Sequence, residues 1–179
     1  MIPRTVVWWS HGGATNPIPN PELVQSIELR SPYVNKPSGG FWTSPLGSEY
    51  GWEHWCRDNE LEWLGDPWHL TVAGTPRVLV IDSAADLDAA FERWPHVSEW
   101  GDERRWTDRG LDWTKIAEEY DAVWLTERGH FDSRLRGIDA PSTYSWDCET
   151  VLWFRWCFDR VERVDAARVA DQPDVASVA

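Results

Sequence analysis

Apolar and polar positions alternate in short blocks that predict more strands than helices. Residues 4–9 (Arg-Thr-Val-Val-Trp-Trp) are an almost unbroken apolar run, as in a buried strand. The run stops at Ser10-His11-Gly12-Gly13, where two glycines permit a tight turn and close backbone approach. Pro17, Pro19 and Pro21 mark residues 14–24 as loop. Residues 25–30 alternate and predict a half-exposed strand. Pro37-Ser38-Gly39-Gly40 reads as a turn before a short strand, Phe41-Trp42-Thr43-Ser44-Pro45, that proline stops.

Helical spacing begins at 48–58. With Ser48 as N-cap, Trp52, Trp55 and Cys56 share one face at i, i+3, i+4. Strands are expected at 69–73 and 77–81 around Gly74-Thr75-Pro76. Ser83 is placed to cap a helix over 84–94 with Leu87, Ala90, Phe91 and Trp94 on its apolar side. Residues 96–110 are charged and irregular, Asp112 caps a helix at 113–119, and 121–126 is a strand. A connection rich in Gly, Pro, Ser and Asp spans 127–146, and connections of that length are often functional. It leads into a strand at 147–154. The sum is an α+β domain over 1–164, with a mainly antiparallel β-sheet and helices packed on its faces, followed by a disordered tail at 165–179.

Composition narrows the function. The chain has 179 residues, of which 42% are apolar, enough for one core. Its net charge of −13 repels phosphate backbones and anionic lipid, which argues against a general nucleic-acid binder or a binder of anionic membrane surfaces and leaves proteins, small molecules and basic partners. An acidic protein can also occupy a site meant for DNA. Fifteen tryptophans cannot all be buried in so small a domain, so several are expected to line a groove or a partner surface while most fill the core. Lys36 and Lys115 are the only lysines among seventeen basic residues, a bias of high-GC coding sequence. Cys56, Cys148 and Cys157 form no CxxC pair, so no disulfide framework is expected. No signal-peptide pattern and no apolar span point elsewhere than the cytoplasm, toxin-like or phage-borne proteins included.

No P-loop, GxGxxG, HExxH or GxSxG motif occurs. His54 and Cys56 fall on different helix faces, so no metal site is expected. Three segments stand out instead: a strand ending in His11-Gly12-Gly13, the Gly39–Pro45 segment before an aromatic helix, and a long loop feeding a strand that opens near Glu149. In order and kind they resemble the ADP-ribosyltransferase superfamily of the His-Gly-Thr type. That group includes poly-ADP-ribose polymerases, RNA 2′-phosphotransferases and DNA-targeting ADP-ribosyltransferase toxins.

The resemblance covers most of residues 4–154 and implies a split sheet that binds NAD. His11 would hydrogen-bond the adenosine-side ribose and Gly12 would offer its backbone to the nicotinamide amide. Ser44 would brace the catalytic glutamate, with Trp42 or Thr43 beside it. Glu149 would hold the nicotinamide ribose 2′-OH, Tyr50, Trp52 or Trp55 would stack on nicotinamide, and the 127–146 loop would select a protein or small-molecule acceptor. The sequence departs from the pattern at Gly13, where threonine or serine is usual, and at Trp42, where tyrosine is common. Asp147 and Glu149 compete for the catalytic role. A strand through both would put them on one face, and Glu149 is favoured for its place beside the apolar run. Two other readings stay open. One is a non-enzymatic, acidic, tryptophan-rich interaction protein, a host-protein inhibitor or DNA mimic. The other is a hydrolase with Asp147 and Glu149 as paired carboxylates.

Overall fold

The computed structural model describes residues 2–11, 17–29, 35–61, 64–96, 110–136 and 140–164. The expected tail at 165–179, the Gly12-Gly13 turn and most of the charged 96–110 stretch lie outside the described residues. Within them the chain is α+β, with one large mixed sheet and four helices.

The sheet runs β10 (Phe158–Arg163), β4 (Leu64–Val72), β1 (Thr5–His11), β3 (Ser38–Pro45), β9 (Thr150–Trp153), β8 (Ala122–Leu125), β5 (Val78–Ile81), and β2 (Gln25–Glu28) pairs with β3. β5 lies parallel to β8, and the other ladders of this sheet are antiparallel. β6 (Pro95–His96) and β7 (Gly110–Leu111) form a separate two-stranded pair. Two apolar clusters result. One holds Ile81, Leu87, Trp94, Trp113, Ile116, Leu125 and Leu152, and joins the sheet to α2 (Ala84–Arg93) and α3 (Trp113–Glu119). The other is built on Val6, Phe41, Trp68, Leu70, Val151 and Trp153. Neighbouring residues Val151 and Leu152 fall in different clusters, as a two-residue period requires.

The helix caps read from sequence hold at two sites. Ser83 accepts from the Asp86 amide and Asp112 from the Lys115 amide, each closing a first turn. Burial would raise the Asp112 carboxyl, but hydrogen bonds from Thr114 and Lys115 outweigh it and hold the group below its ordinary range. Ser48 does not cap α1. The helix runs Trp52–Asp58 with Gly51 as its N-cap, and the Ser48 hydroxyl turns to Glu149 instead.

The 127–146 segment, expected as loop, contains α4 (Glu127–Arg134). Its buried residues are Gly129, His130 and Ser133, so it presents no apolar stripe to read. Thr126 caps it by accepting from the Gly129 amide, and Gly129 packs so closely that an added Cβ would stand 2.1 Å from the Ile81 carbonyl oxygen. β10 was also not foreseen. The expected strand at 147–154 shortens to Thr150–Trp153, leaving residues 147–149 outside the ladder.

β3 starts earlier than expected because Ser38 and Gly40 pair with β2, although Gly39 and Gly40 adopt φ values of 86° and 67° inside the strand. These left-handed conformations redirect β3 where β2 crosses it. A Cβ on Gly39 would lie 2.0 Å from the Ser26 carbonyl oxygen, backbone that cannot yield. Gly39→Ala is therefore expected to destabilise the fold by about 2 kcal/mol or more, adding steric overlap to the left-handed penalty. Urea unfolding measures this, and a change below about 0.5 kcal/mol would contradict the close approach.

Candidate functional site

β1 and β3 pair through only Val6–Pro45 and Val7–Ser44. β1 stays paired with β4 as far as His11–Leu64, and β3 stays paired with β9 through Phe41–Trp153. The seam between the two halves of the sheet therefore opens past Val7. At the Val6 end Pro45 has no N–H to donate and the Leu46 amide donates to the Thr5 carbonyl instead, while Gly39 and Gly40 lie at the other end of β3 with left-handed φ.

A cleft of about 430 Å³ occupies this seam, within the ordinary range of small-molecule sites. Its lining includes Trp8 and Trp9 from β1, Trp42, Thr43 and Ser44 from β3, Trp52 from α1, and Trp146, Asp147, Cys148 and Thr150 from the chain entering β9. Five of the fifteen tryptophans thus border one cleft, as the composition led us to expect. They are held in place. Trp8 stacks on Phe41 at 5.7 Å between ring centroids, Trp42 packs on Trp146 at 5.0 Å, and Trp52 stacks on Trp55 at 4.8 Å. The Trp42 N–H donates to the Gly39 carbonyl and the Trp146 N–H to the Asn35 carbonyl, which fixes both rings.

Ser44 is a junction. Its hydroxyl accepts from the Trp52 amide at 2.9 Å and donates to the Glu149 carbonyl at 3.2 Å, tying β3 to the start of α1 and to the entry of β9. It touches the backbone of Glu149, not the carboxylate expected. Thr43 is structural as well: its hydroxyl donates to the Val151 carbonyl and accepts from Trp153.

The two candidate carboxylates separate. Residues 147–149 lie outside the ladder and the chain bends at 148–149, so strand alternation does not put the pair on one face, contrary to expectation. Asp147 lines the cleft and accepts from Lys36 at 2.9 Å. Glu149 is 7% exposed and not part of the lining; its two oxygens accept from the Ser48 hydroxyl at 2.6 Å and the Trp124 N–H at 2.9 Å. Its amide donates to the Tyr50 carbonyl. Glu149 also faces other acids. Burial first, then Glu49 and Glu149, push the Glu127 carboxyl up.

Of the remaining expected residues, His11 ends β1 opposite Leu64, and Gly12 lies outside the described residues. Tyr50 is not in the lining. Burial and a hydrogen bond to Asp58 raise its phenol, and its ring lies 6.4 Å from Phe131. Sequence reading passed over Trp8, Trp9, Trp146 and Lys36, although Trp8-Trp9 beside His11 was a usable signal. Cys148 borders the cleft, but burial pushes its thiol up to about 12, so it supplies no thiolate near neutral pH. Among the described residues no group of His, Cys, Asp and Glu is arranged to hold a metal, and no helix is long and apolar enough to cross a membrane.

The chain behind Trp146 and Asp147 rests on His130. This ring is fully buried; Nε2 donates to the Trp146 carbonyl at 2.6 Å, and Nδ1 has no hydrogen-bond partner. Burial lowers the imidazole below its ordinary value, and the bond to the carbonyl only partly offsets this. As pH falls through about 6.5 the unfolded chain takes up this proton before the folded one, so the residue's contribution to stability declines. His130→Gln is expected to be less stable than the wild type near neutral pH, with the gap narrowing toward about pH 5.5. Urea midpoints at the two pH values check it, and a gap independent of pH would contradict a neutral buried ring. No family model, curated protein or solved structure matches the chain.

Proposed function

We propose that the protein binds NAD in the cleft between β1 and β3 and transfers ADP-ribose to a protein or small-molecule acceptor. The observation that carries this reading is adjacency. The segments that suggested the ADP-ribosyltransferase resemblance, around His11, Ser44 and Glu149, fall on or beside three neighbouring strands, β1, β3 and β9. The cleft opens at the seam between the first two. A dinucleotide carries two planar heterocycles, and an indole-lined cleft offers apolar faces to such rings.

In this reaction the bond between nicotinamide and C1 of its ribose breaks. Nicotinamide leaves with the electron pair, C1 takes on oxocarbenium character, and the acceptor's lone pair forms the new bond while its proton passes to solvent. A fixed carboxylate beside C1 stabilises charge that arises mainly in the transition state. Asp147 is assigned that task because it borders the cleft. Glu149 instead anchors the 48–50 turn to the entry of β9 through both its backbone and its carboxylate. His11, at the end of β1, is assigned the adenosine-side ribose, and Trp52 the nicotinamide ring.

Titration calorimetry and nicotinamide release test the assignment. The wild type is expected to bind NAD and His11→Ala to bind it more weakly. Asp147→Asn is expected to slow nicotinamide release about 100-fold or more while NAD binds no more weakly. Glu149→Gln is expected to keep turnover and lose thermal stability. A folded Glu149→Gln variant that alone loses turnover would return the role to Glu149. A folded wild type that ignores millimolar NAD would overturn the enzyme reading.

A second reading has one observation of its own. Phe131, Leu135 and Tyr144 are exposed at 60%, 81% and 68% on and beside α4, in a protein of net charge −13. Such a surface fits the acidic interaction protein. That reading gains if NAD has no effect and Phe131→Ser with Leu135→Ser abolishes a salt-sensitive partner interaction.

A further inference from the structure

Among the described residues that line the cleft, Lys36 is the one cation and Asp147 the one anion. Their contact is 2.9 Å, and the side chains keep 26% and 31% of their exposure, so the pair is open to water and exchangeable. The ammonium also lies 5.2 Å from the centroid of the Trp42 ring, which leaves it attracted to the aromatic wall as well as to the carboxylate.

The backbone beside Lys36 is far less free than its ammonium. Asn35 is held at three points: its amide nitrogen donates to the Ser142 carbonyl, its side-chain oxygen accepts from the Leu111 amide, and its carbonyl accepts from the Trp146 indole. A long, mobile cation is thus mounted on a fixed base at the cleft. The chain's other lysine, Lys115, is engaged at 3.0 Å by Asp112 on α3. In a protein of net charge −13, an anion approaching the cleft is repelled at long range and needs a local cation to stay.

We propose that Lys36 is the phosphate-reading residue of the cleft: an entering pyrophosphate takes the ammonium away from Asp147, and the carboxylate is thereby released to face the bound ribose. The ligand's identity as a dinucleotide rests on the function proposed above; the anion site itself does not. No covalent change is involved, only the exchange of one ion pair for another. A doubly charged, multidentate phosphate group competes well with a single half-exposed carboxylate for an ammonium. Lys36 is on this view a binding residue whose partner exchange positions Asp147.

The test is calorimetric titration of the full chain with NAD, inorganic pyrophosphate and adenosine. Lys36→Met is expected to weaken NAD and pyrophosphate about tenfold or more and to leave adenosine unchanged, with Lys36→Arg restoring most of the loss. Asp147→Asn removes the internal competitor and is expected to tighten pyrophosphate several-fold, an effect that a merely structural Lys36–Asp147 pair would not produce. If pyrophosphate binds through Lys36 but NAD does not bind, the inference stands and the dinucleotide reading falls. If NAD binds equally well to the wild type and Lys36→Met, the inference falls and the dinucleotide reading stands. If pyrophosphate does not bind the wild type, or Asp147→Asn fails to tighten it, Lys36 is not the anion site, whatever the fold of the methionine variant.

Discussion

Two residue pairs, Val6–Pro45 and Val7–Ser44, join the three strands on one side of the sheet to the five on the other. So short a ladder cannot hold the halves parallel along their length, and the twist natural to each half carries them apart beyond it. Everything distinctive in the molecule follows from that seam. It needs Ser44, whose hydroxyl spans from the α1 amide of Trp52 to the Glu149 carbonyl. It also needs glycine at 39 and 40, where β3 turns away and β2 passes within reach of its backbone.

The tryptophans make that opening tolerable. An unfilled gap between sheet halves would forfeit dispersion contacts on both walls. Indoles cover large areas with two rotatable bonds, and here two of the five in the cleft spend their N–H on a nearby acceptor, Gly39 for Trp42 and Asn35 for Trp146. Rings fixed in this way present apolar faces without collapsing into the space between them. The high tryptophan count is thus an architectural answer to a sheet that divides, and it also makes the cleft suited to flat ligands.

How much of this the sequence disclosed depends on whether the deciding contact is local. Helices α2 and α3, with their Ser83 and Asp112 caps, were legible because cap and apolar stripe lie within a few residues. α4 was not, because it packs through Gly129, His130 and Ser133 against backbone, and glycine and serine make no apolar period. Ser48 has the look of a cap, yet a carboxylate 101 residues away claims its hydroxyl. The same limit governs the site. Trp42, Thr43, Ser44 and Trp52 border the cleft together because one strand and the helix after it carry them. The separation of Asp147 from Glu149 was not legible, because it hangs on where the β9 ladder begins. Period-2 reasoning holds only inside a ladder, and β9 starts one residue after Glu149.

That later start of β9, three residues beyond Asp147, has a consequence for chemistry. Had β9 begun at Asp147, strand alternation would have set two carboxylates on one face, where like charges repel. Instead the bend divides them between two environments. Glu149 receives two neutral donors, Ser48 and Trp124, and stays with the other acids, Glu49 and Glu127. Asp147 receives Lys36, the one cation among the described residues that line the cleft. A buried carboxylate satisfied by neutral donors is suited to holding a turn, since nothing needs to leave for the fold to persist. A half-exposed carboxylate held by one mobile ammonium can be released by any anion that competes for that ammonium. The seam, the bend and the single lysine therefore assign different work to two acids that look equivalent in the sequence.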